Sequence, residues 1–226
     1  FGIRQFSVMT NERVNIVVPV RSLRDGKTRL SSVLSKSDRY ELSQRLLINT
    51  LSIATSVVGL SSVVVVSRCK DANDIVRSWG VRYLFEVTKG GLNPALSWAS
   101  QVVSYRGIKR VLVLPFDLPL LTHNDLRQLI AKAGKNGAAI APDRRLQGTN
   151  ALCVPSGGEF KFRFGLGSFS RHKIEAKRCG IGLRCVSRCS LSFDVDLPRD
   201  FSQLCVYETD HGAVRLTRGL GVISSS

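Results

Sequence analysis

Three aspartates in this sequence could gather at one end of an α/β sheet. Asp117 follows the apolar run Val111-Leu112-Val113-Leu114 and lies between Pro115 and Pro119, while Asp194 and Asp196 sit two apart ahead of Pro198. Carboxylate oxygens suit a hard divalent cation, and magnesium typically takes one or two of them beside substrate phosphates. Residues two apart share a side of an extended segment, so Asp194 and Asp196 could act together. A second group is cationic: Arg21, Arg24, Lys27 and Arg29 occupy the polar loop after Asn15-Ile16-Val17-Val18-Pro19-Val20. In a doubly wound sheet the loop after the first strand meets phosphates through backbone N–H groups and Lys or Arg side chains. The structural alternative makes Asp117 a turn residue and Asp194 or Asp196 the cap of the helix after Pro198.

Missing motifs narrow the chemistry. His123, His172 and His211 form no set, and His172 reads as a mid-helix residue among basic neighbours. There is no nucleophile elbow, and Gly26-Lys27-Thr28 lacks the longer glycine run of a P-loop. A phosphate monoester is a nucleophile that needs no base, because its second pKa is about 6 and it is ionised at neutral pH. Its attack on another phosphate needs charge neutralised by a metal and by Lys or Arg. Magnesium is the expected cofactor.

The elements that must position these groups follow from apolar periodicity. Buried strands are expected over residues 15–20, 62–66, 111–114, 138–141 and 150–154, with an outer strand where Val81, Tyr83 and Phe85 alternate and late strands over 183–186 and 191–195. Between them, Ser37 or Asp38 caps a helix that Gly59 ends, Asp71 caps a short one, and Asn93-Pro94 starts one reaching about Tyr105. Thr122 with Asp125 is a capping box, Ser168 opens a helix ending near Gly180, and residues 201–206 make a last turn or two. This alternation means an α/β fold with a mostly parallel central sheet and helices on both faces. Residues 13–206 read as one domain, with 142–186 as a lobe over the sheet edge. Residues 1–12 read as an N-terminal extension or vector-derived scar, and 207–226 as a loose C-terminal tail.

The net charge is +16, from 33 Lys and Arg against 17 Asp and Glu, which favours an anionic partner. Aromatic residues do not interleave with the basic ones as a single-strand binding platform requires, and no apolar run is long enough to span a membrane. Neither nucleic acid nor membrane is therefore expected as partner, and a nucleotide is. Six cysteines without a C-x-x-C motif point to reduced thiols in a cytoplasmic protein.

Eight segments occur in a familiar order: Ile16-Val17-Val18-Pro19-Val20, Lys27-Thr28-Arg29-Leu30, Gly90-Gly91-Leu92-Asn93, Leu114-Pro115-Phe116-Asp117-Leu118-Pro119-Leu120, Ala141-Pro142-Asp143, Gly148-Thr149-Asn150-Ala151-Leu152, Phe164-Gly165-Leu166-Gly167-Ser168-Phe169 and Asp194-Val195-Asp196-Leu197-Pro198. Together they resemble the 2-phospho-L-lactate guanylyltransferase family of coenzyme F-420 biosynthesis, a relative of the molybdenum-cofactor guanylyltransferases. The resemblance implies a three-layer, Rossmann-like fold of the nucleotide-diphospho-sugar-transferase type. It also implies transfer of GMP from GTP to 2-phospho-L-lactate, phosphoenolpyruvate or 3-phospho-D-glycerate, with release of pyrophosphate. By motif match, Asp117, Asp194 and Asp196 would hold magnesium. Thr149, Gly165 and Ser168 would hold the acceptor's phosphate and carboxylate. Lys27 and Arg29 would face the triphosphate and act with Asp117 in catalysis, and Arg21, Gly91 and Asn93 would lie by the nucleotide. The product would pass to the transferase that loads the deazaflavin; a homodimer is left open. Leu166-Gly167 replaces the Pro-Gly common in the family, a departure that bears on acceptor choice. The alternatives are a nucleotidyltransferase for a sugar phosphate or molybdopterin, whose glycine-rich opening loop is replaced here by residues 21–29, and a basic nucleic-acid binder, which the carboxylates disfavour.

Overall fold

A run such as Val63-Val64-Val65-Val66 is satisfied only if both faces of its strand are covered. The computed structural model, which describes residues 13–87, 90–211 and 215–221, covers them. Among the described residues one sheet holds β1 (Val14–Val20), β2 (Val63–Ser67), β3 (Arg82–Phe85), β4 (Arg110–Val113), β5 (Ala138–Pro142), β6 (Thr149–Pro155) and β7 (Leu183–Cys185), in the order β3-β2-β1-β4-β6-β5-β7. Every pairing is parallel except those of β6, which runs against both β4 and β5. The helices are α1 (Lys36–Val58), α2 (Lys70–Ser78), α3 (Leu92–Tyr105), α4 (His123–Ala133), α5 (Ser168–Arg178), the short α6 (Cys189–Ser192) and α7 (Pro198–His211).

Strand alternation sorts the core into two layers of contact. Ile16, Val18, Val63, Val65, Leu112 and Leu114 pack with residues of α1, α2 and α4. Their neighbours Val17, Val64, Val66, Val111 and Val113 pack with residues of α3 and α5. The result is the expected helix–sheet–helix sandwich. A third cluster joins Leu30 and Leu34, the first half of α1, and Phe201 and Leu204 of α7.

Several expectations are corrected. Residues 142–186 form no lobe, because β6 lies inside the sheet between β4 and β5. Only residues 143–148 join β5 to β6, and so short a connection between neighbours makes a hairpin, not a parallel crossover. The alternation over 191–195 is real, since Leu191, Phe193 and Val195 are buried, but it belongs to no ladder. That segment forms α6 and then crosses the carboxyl end of the sheet, where the Val195 N–H donates to the Asp117 carbonyl at 3.2 Å. The last helix is longer than expected and continues to His211. Residues 215–221 are docked, with Leu216 and Leu220 buried in the third cluster. Their backbone is held by Arg45, which donates to the Leu216 and Arg218 carbonyls, and by Glu208, which accepts from the Leu216 and Thr217 N–H groups. The first turns of three helices also begin differently, with Ser35, Cys69 and Gly91 as caps in place of Ser37 or Asp38, Asp71 and Asn93. The 1–12 extension, Lys89 of the glycine turn and the end of the tail lie outside the described residues.

Candidate active site

β4 ends opposite Val17 while its neighbour β1 continues to Val20, with the Leu114 N–H donating to the Val17 carbonyl, and the loops after the two strands supply the first residues of the site. Lys27 adopts left-handed backbone (φ 52°), an uncommon conformation for a side chain of its size. The turn it opens is closed by the Leu30 N–H donating to the Lys27 carbonyl at 2.9 Å. This bend sends the lysine inward: its side chain is 6% exposed, and Nζ donates to the Val195 carbonyl at 2.6 Å. The same ammonium lies 3.5 Å from Asp196 Oδ1 and 3.9 Å from Asp117 Oδ2. One cation thus gathers the strand-end carboxylate and one member of the late pair.

The remaining electrostatics are unbalanced toward negative charge. Burial pushes the Asp117 carboxyl above the usual range; Lys27 pulls it down and Asp196 pushes it further up. Asp194 is pushed up to about 6, first by burial and then by Asp117 and Asp196. Asp117 and Asp194, each pushed up by burial and by a neighbouring carboxylate, favour a cation beside them. The donor set, oxygen throughout, fits magnesium, which does not require a complete protein cage. Among the described residues no three His, Cys, Asp or Glu side chains converge as such a cage.

A cleft of ≈ 400 Å³ opens beside these residues, lined in part by Asp194, Asp196, Arg29, Arg144, Arg145 and Arg199. Arg29 therefore joins the site. Arg144 is fixed by Asp200 at 2.6 Å and by Gln203 at 2.8 Å, and its guanidinium lies 4.6 Å from the centre of the Phe193 ring. Asp200 is buried and accepts from the N–H groups of Asp196 (3.2 Å) and Leu197 (2.8 Å). Asp200 thus does the capping work that the sequence offered to Asp194 or Asp196, and both remain available to the cleft. Arg24 is drawn away, paired with Asp71 at 2.7 Å and stacked on Tyr40. Arg21 is exposed just past β1.

Thr149, Ser168 and Gly165 form a second group. Thr149 is the first residue of β6, and the strand's reversed direction brings it opposite Pro142 at the carboxyl end of β5. Its Oγ1 lies 3.0 Å from His172 Nδ1. Gly165 (φ 114°) and Gly167 (φ 69°) make a turn that side chains resist, and Gly167 leads directly into Ser168 at the start of α5. The Phe169 N–H donates to the Gln147 carbonyl, which holds this turn against the 143–148 hairpin. Asn93 is tied here as well: its amide exchanges two hydrogen bonds with the Phe164 backbone, at 2.7 and 3.1 Å. Gly91 caps α3 two residues earlier and is exposed. Asn150 donates to the Leu191 carbonyl and so links β6 to the segment that carries Asp194.

His172 and Asp200 were not expected at the site. The partners that give them their roles are distant in sequence for His172 and hidden by the wrong helix start for Asp200. A larger cavity of ≈ 960 Å³ contains none of the expected residues; it opens at the other end of the strands and is lined in part by Arg13, Arg82, Arg106 and Arg127.

Comparisons with known proteins bear on the family and the fold. The profile of the family described as Guanylyl transferase CofC like matches residues 14–225. The phosphoenolpyruvate guanylyltransferase of Rubrobacter xylanophilus is 37% identical over 190 residues, covering 83% of this chain and 91% of that protein. That of Sphaerobacter thermophilus is 32% identical over 188 residues, covering 83% and 90%. Among solved structures, a protein of Desulfovibrio desulfuricans G20 assigned to the nucleotide-diphospho-sugar transferases superposes with a TM-score of 0.73 at 14% identity, covering 91% of this chain and 93% of that one. A nucleotidyl transferase from Methanothermobacter gives 0.60 at 16% identity, covering 88% and 98%. At such identities the structural likeness speaks to the fold.

Proposed function

The chain belongs to the guanylyl transferase family described as CofC like, a family of nucleotidyltransferases, and from that membership we propose that it moves GMP from GTP onto the phosphate of a small phosphorylated carboxylic acid. Phosphoenolpyruvate is the first acceptor to consider, because the relatives carry that name; the setting is coenzyme F-420 biosynthesis. An oxygen of the acceptor's phosphate attacks the α-phosphorus of GTP in line. The bond to the bridging oxygen breaks, and pyrophosphate leaves with its electron pair. The acceptor phosphate is ionised at neutral pH, so the step requires no base. His172, buried and hydrogen-bonded through both ring nitrogens, is not needed as one.

The observation that carries this reading is the buried Lys27 ammonium at the end of β1, set between Asp117 and Asp196 and anchored on the Val195 carbonyl. It orders two carboxylates against their mutual repulsion. Asp117, Asp194 and Asp196 would hold magnesium, which would offset charge on the triphosphate and on the departing pyrophosphate. Lys27 and Arg29 serve the triphosphate, with Arg21 and Gly91 on the nucleotide side, while Asn93 supports the Phe164 backbone ahead of the Gly165 turn. Thr149, Gly165 and Ser168 receive the acceptor, with hydroxyl groups as donors, since the Ser168 and Phe169 N–H groups already donate to the Gly165 and Gln147 carbonyls.

The test offers GTP and magnesium together with phosphoenolpyruvate, 2-phospho-L-lactate and 3-phospho-D-glycerate, and weighs the products by mass. One guanosine-diphospho acid and an equal amount of pyrophosphate are expected, and only when an acid is present; no conjugate of any of the three would sink the reading. Asp117→Asn should lower kcat at least about a hundred-fold with the fold retained, as expected for lost transition-state electrostatics.

A further inference from the structure

We propose that His172 is a positioning residue: by donating from Nδ1 to the Thr149 hydroxyl, it obliges that hydroxyl to turn its own proton toward the bound acceptor. The inference rests on the reading above, in which Thr149 receives the acceptor.

The direction of each bond follows from one fixed donor. The backbone N–H of Arg163 lies 2.9 Å from His172 Nε2 and can only donate, so Nε2 must be the nitrogen without a proton. In a neutral imidazole the proton is then on Nδ1. Nδ1 stands 3.0 Å from Thr149 Oγ1, so the ring donates and the hydroxyl oxygen accepts. The other tautomer would set two N–H groups against each other at Arg163, and the doubly protonated ring would do the same. Burial holds the ring neutral, with its pKa down to about 4; Glu175 opposes that shift and Arg163 reinforces it. With its oxygen already accepting, the Thr149 hydroxyl presents its proton elsewhere, and its side chain makes no other hydrogen bond among the described residues. A donor is what a phosphate or carboxylate oxygen requires.

The ring is held in this orientation from several sides. Phe160 stacks on it with centroids 6.0 Å apart, and Phe164 meets it edge-on at 4.9 Å. Residues 160–164 run as an extended strap whose alternate N–H groups are taken by α5: Lys161 donates to Glu175 at 2.9 Å and Arg163 to His172. The strap continues through Phe164, held by Asn93, into the turn at Gly165. His172 therefore fixes the Thr149 rotor and the turn leading to Ser168 from one point.

Two amides separate the two bonds. In His172→Gln the amide reaches the Nε2 position and can accept from Arg163, leaving Thr149 without its donor. In His172→Asn the shorter amide can donate to Thr149 and leaves Arg163 unserved. Steady-state kinetics with phosphoenolpyruvate should show the acceptor KM raised roughly five- to ten-fold in His172→Gln, with the KM for GTP unchanged, because the Thr149 hydroxyl keeps its proton but is free to rotate it away. His172→Asn should restore the acceptor KM to within about threefold. Thr149→Val, which removes the donor itself, should raise that KM roughly ten- to a hundred-fold, and the double variant should be no worse than Thr149→Val alone. Equal losses in Gln and Asn, or additive losses in the double variant, would overturn the proposal and leave His172 a packing residue. If Thr149→Val leaves the acceptor KM at the wild-type value, the acceptor assignment fails and the inference goes with it. If Thr149→Val raises the KM and His172→Gln does not, the role of His172 alone is lost. Should the His172 variants misfold, nitrogen-15 NMR of the wild-type ring decides: the Nδ1–H tautomer is required, and finding Nε2–H overturns the proposal.

Discussion

Lys27 combines two features: an unfavourable backbone conformation (φ 52°) and a buried charge. Its place in the loop after the first strand was legible in the sequence, because that loop has a fixed topological meaning in a doubly wound sheet. Its attachment to the Val195 carbonyl was not, since 168 residues separate the partners. The role of His172 was not legible for the same reason: it does stand mid-helix among Arg171, Lys173 and Lys177, but only the fold shows it fully buried. Its burial has a measurable consequence. Between about pH 4, its value in the folded chain, and about 6.5, its ordinary value, the unfolded state binds more protons. Stability contributed by this residue should therefore rise with pH across that window and be lost as the solution is acidified through it. Urea midpoints measured from pH 7 to 4 should fall less steeply for His172→Gln than for the wild type, with Glu175 and Arg163 unchanged beside it. Parallel slopes would contradict the assignment.

Elements defined by local chemistry were the easiest to read. The Thr122–Asp125 box is complete, with the threonine hydroxyl accepting from the Asp125 N–H and the aspartate accepting from the Thr122 N–H. The start of α7 was harder, because the residue directly before Pro198 is Leu197, which cannot cap; Asp200 reaches back instead to the N–H groups of Asp196 and Leu197. This helix start sets the direction of the Asp194–Asp196 segment, so the element and the site are coupled. Asp200→Ala should cost about 1–3 kcal/mol in urea denaturation, the usual penalty for stranded buried partners, and should also lower kcat. Asp200→Asn, which keeps an acceptor oxygen but loses the charge facing Arg144, should fall between. Unchanged turnover in Asp200→Ala would show that the carboxylates hold their places without α7.

At the scale of the whole molecule, the order of strands and helices was readable from periodicity, and the direction of one strand was missed. The shortness of the link between β5 and β6 could have revealed the hairpin, since parallel neighbours need a dozen or more residues between them. The packing of residues 215–221 could not have been anticipated, because Leu216 and Leu220 have little periodic context and their partners lie in α1 and α7. No described helix is long and apolar enough to cross a membrane. Ending the chain at residue 211 should lower the urea midpoint, since each buried leucine contributes about 1.5–3 kcal/mol. The KM values for GTP and acceptor should stay near wild type, because neither residue lines the cleft; an unchanged midpoint would mean that the segment is not docked in solution.

The reversed strand also bears on how such an enzyme can diversify. β6 brings its beginning, not its end, to the carboxyl side of the sheet, so the wall formed by residues 143–148 is the tip of a hairpin whose stems pair regularly up to a register shift at Ala141–Pro142. Exchanges at that tip leave both stems in place if they spare Arg144, which pairs with Asp200, and the Gln147 carbonyl, which accepts from Phe169. Lys27 and Asp117 are carried on separate connections and would not shift. The chemistry can therefore be inherited intact while the wall beside it is rewritten, which gives the lineage a way to try new acids without risking the reaction.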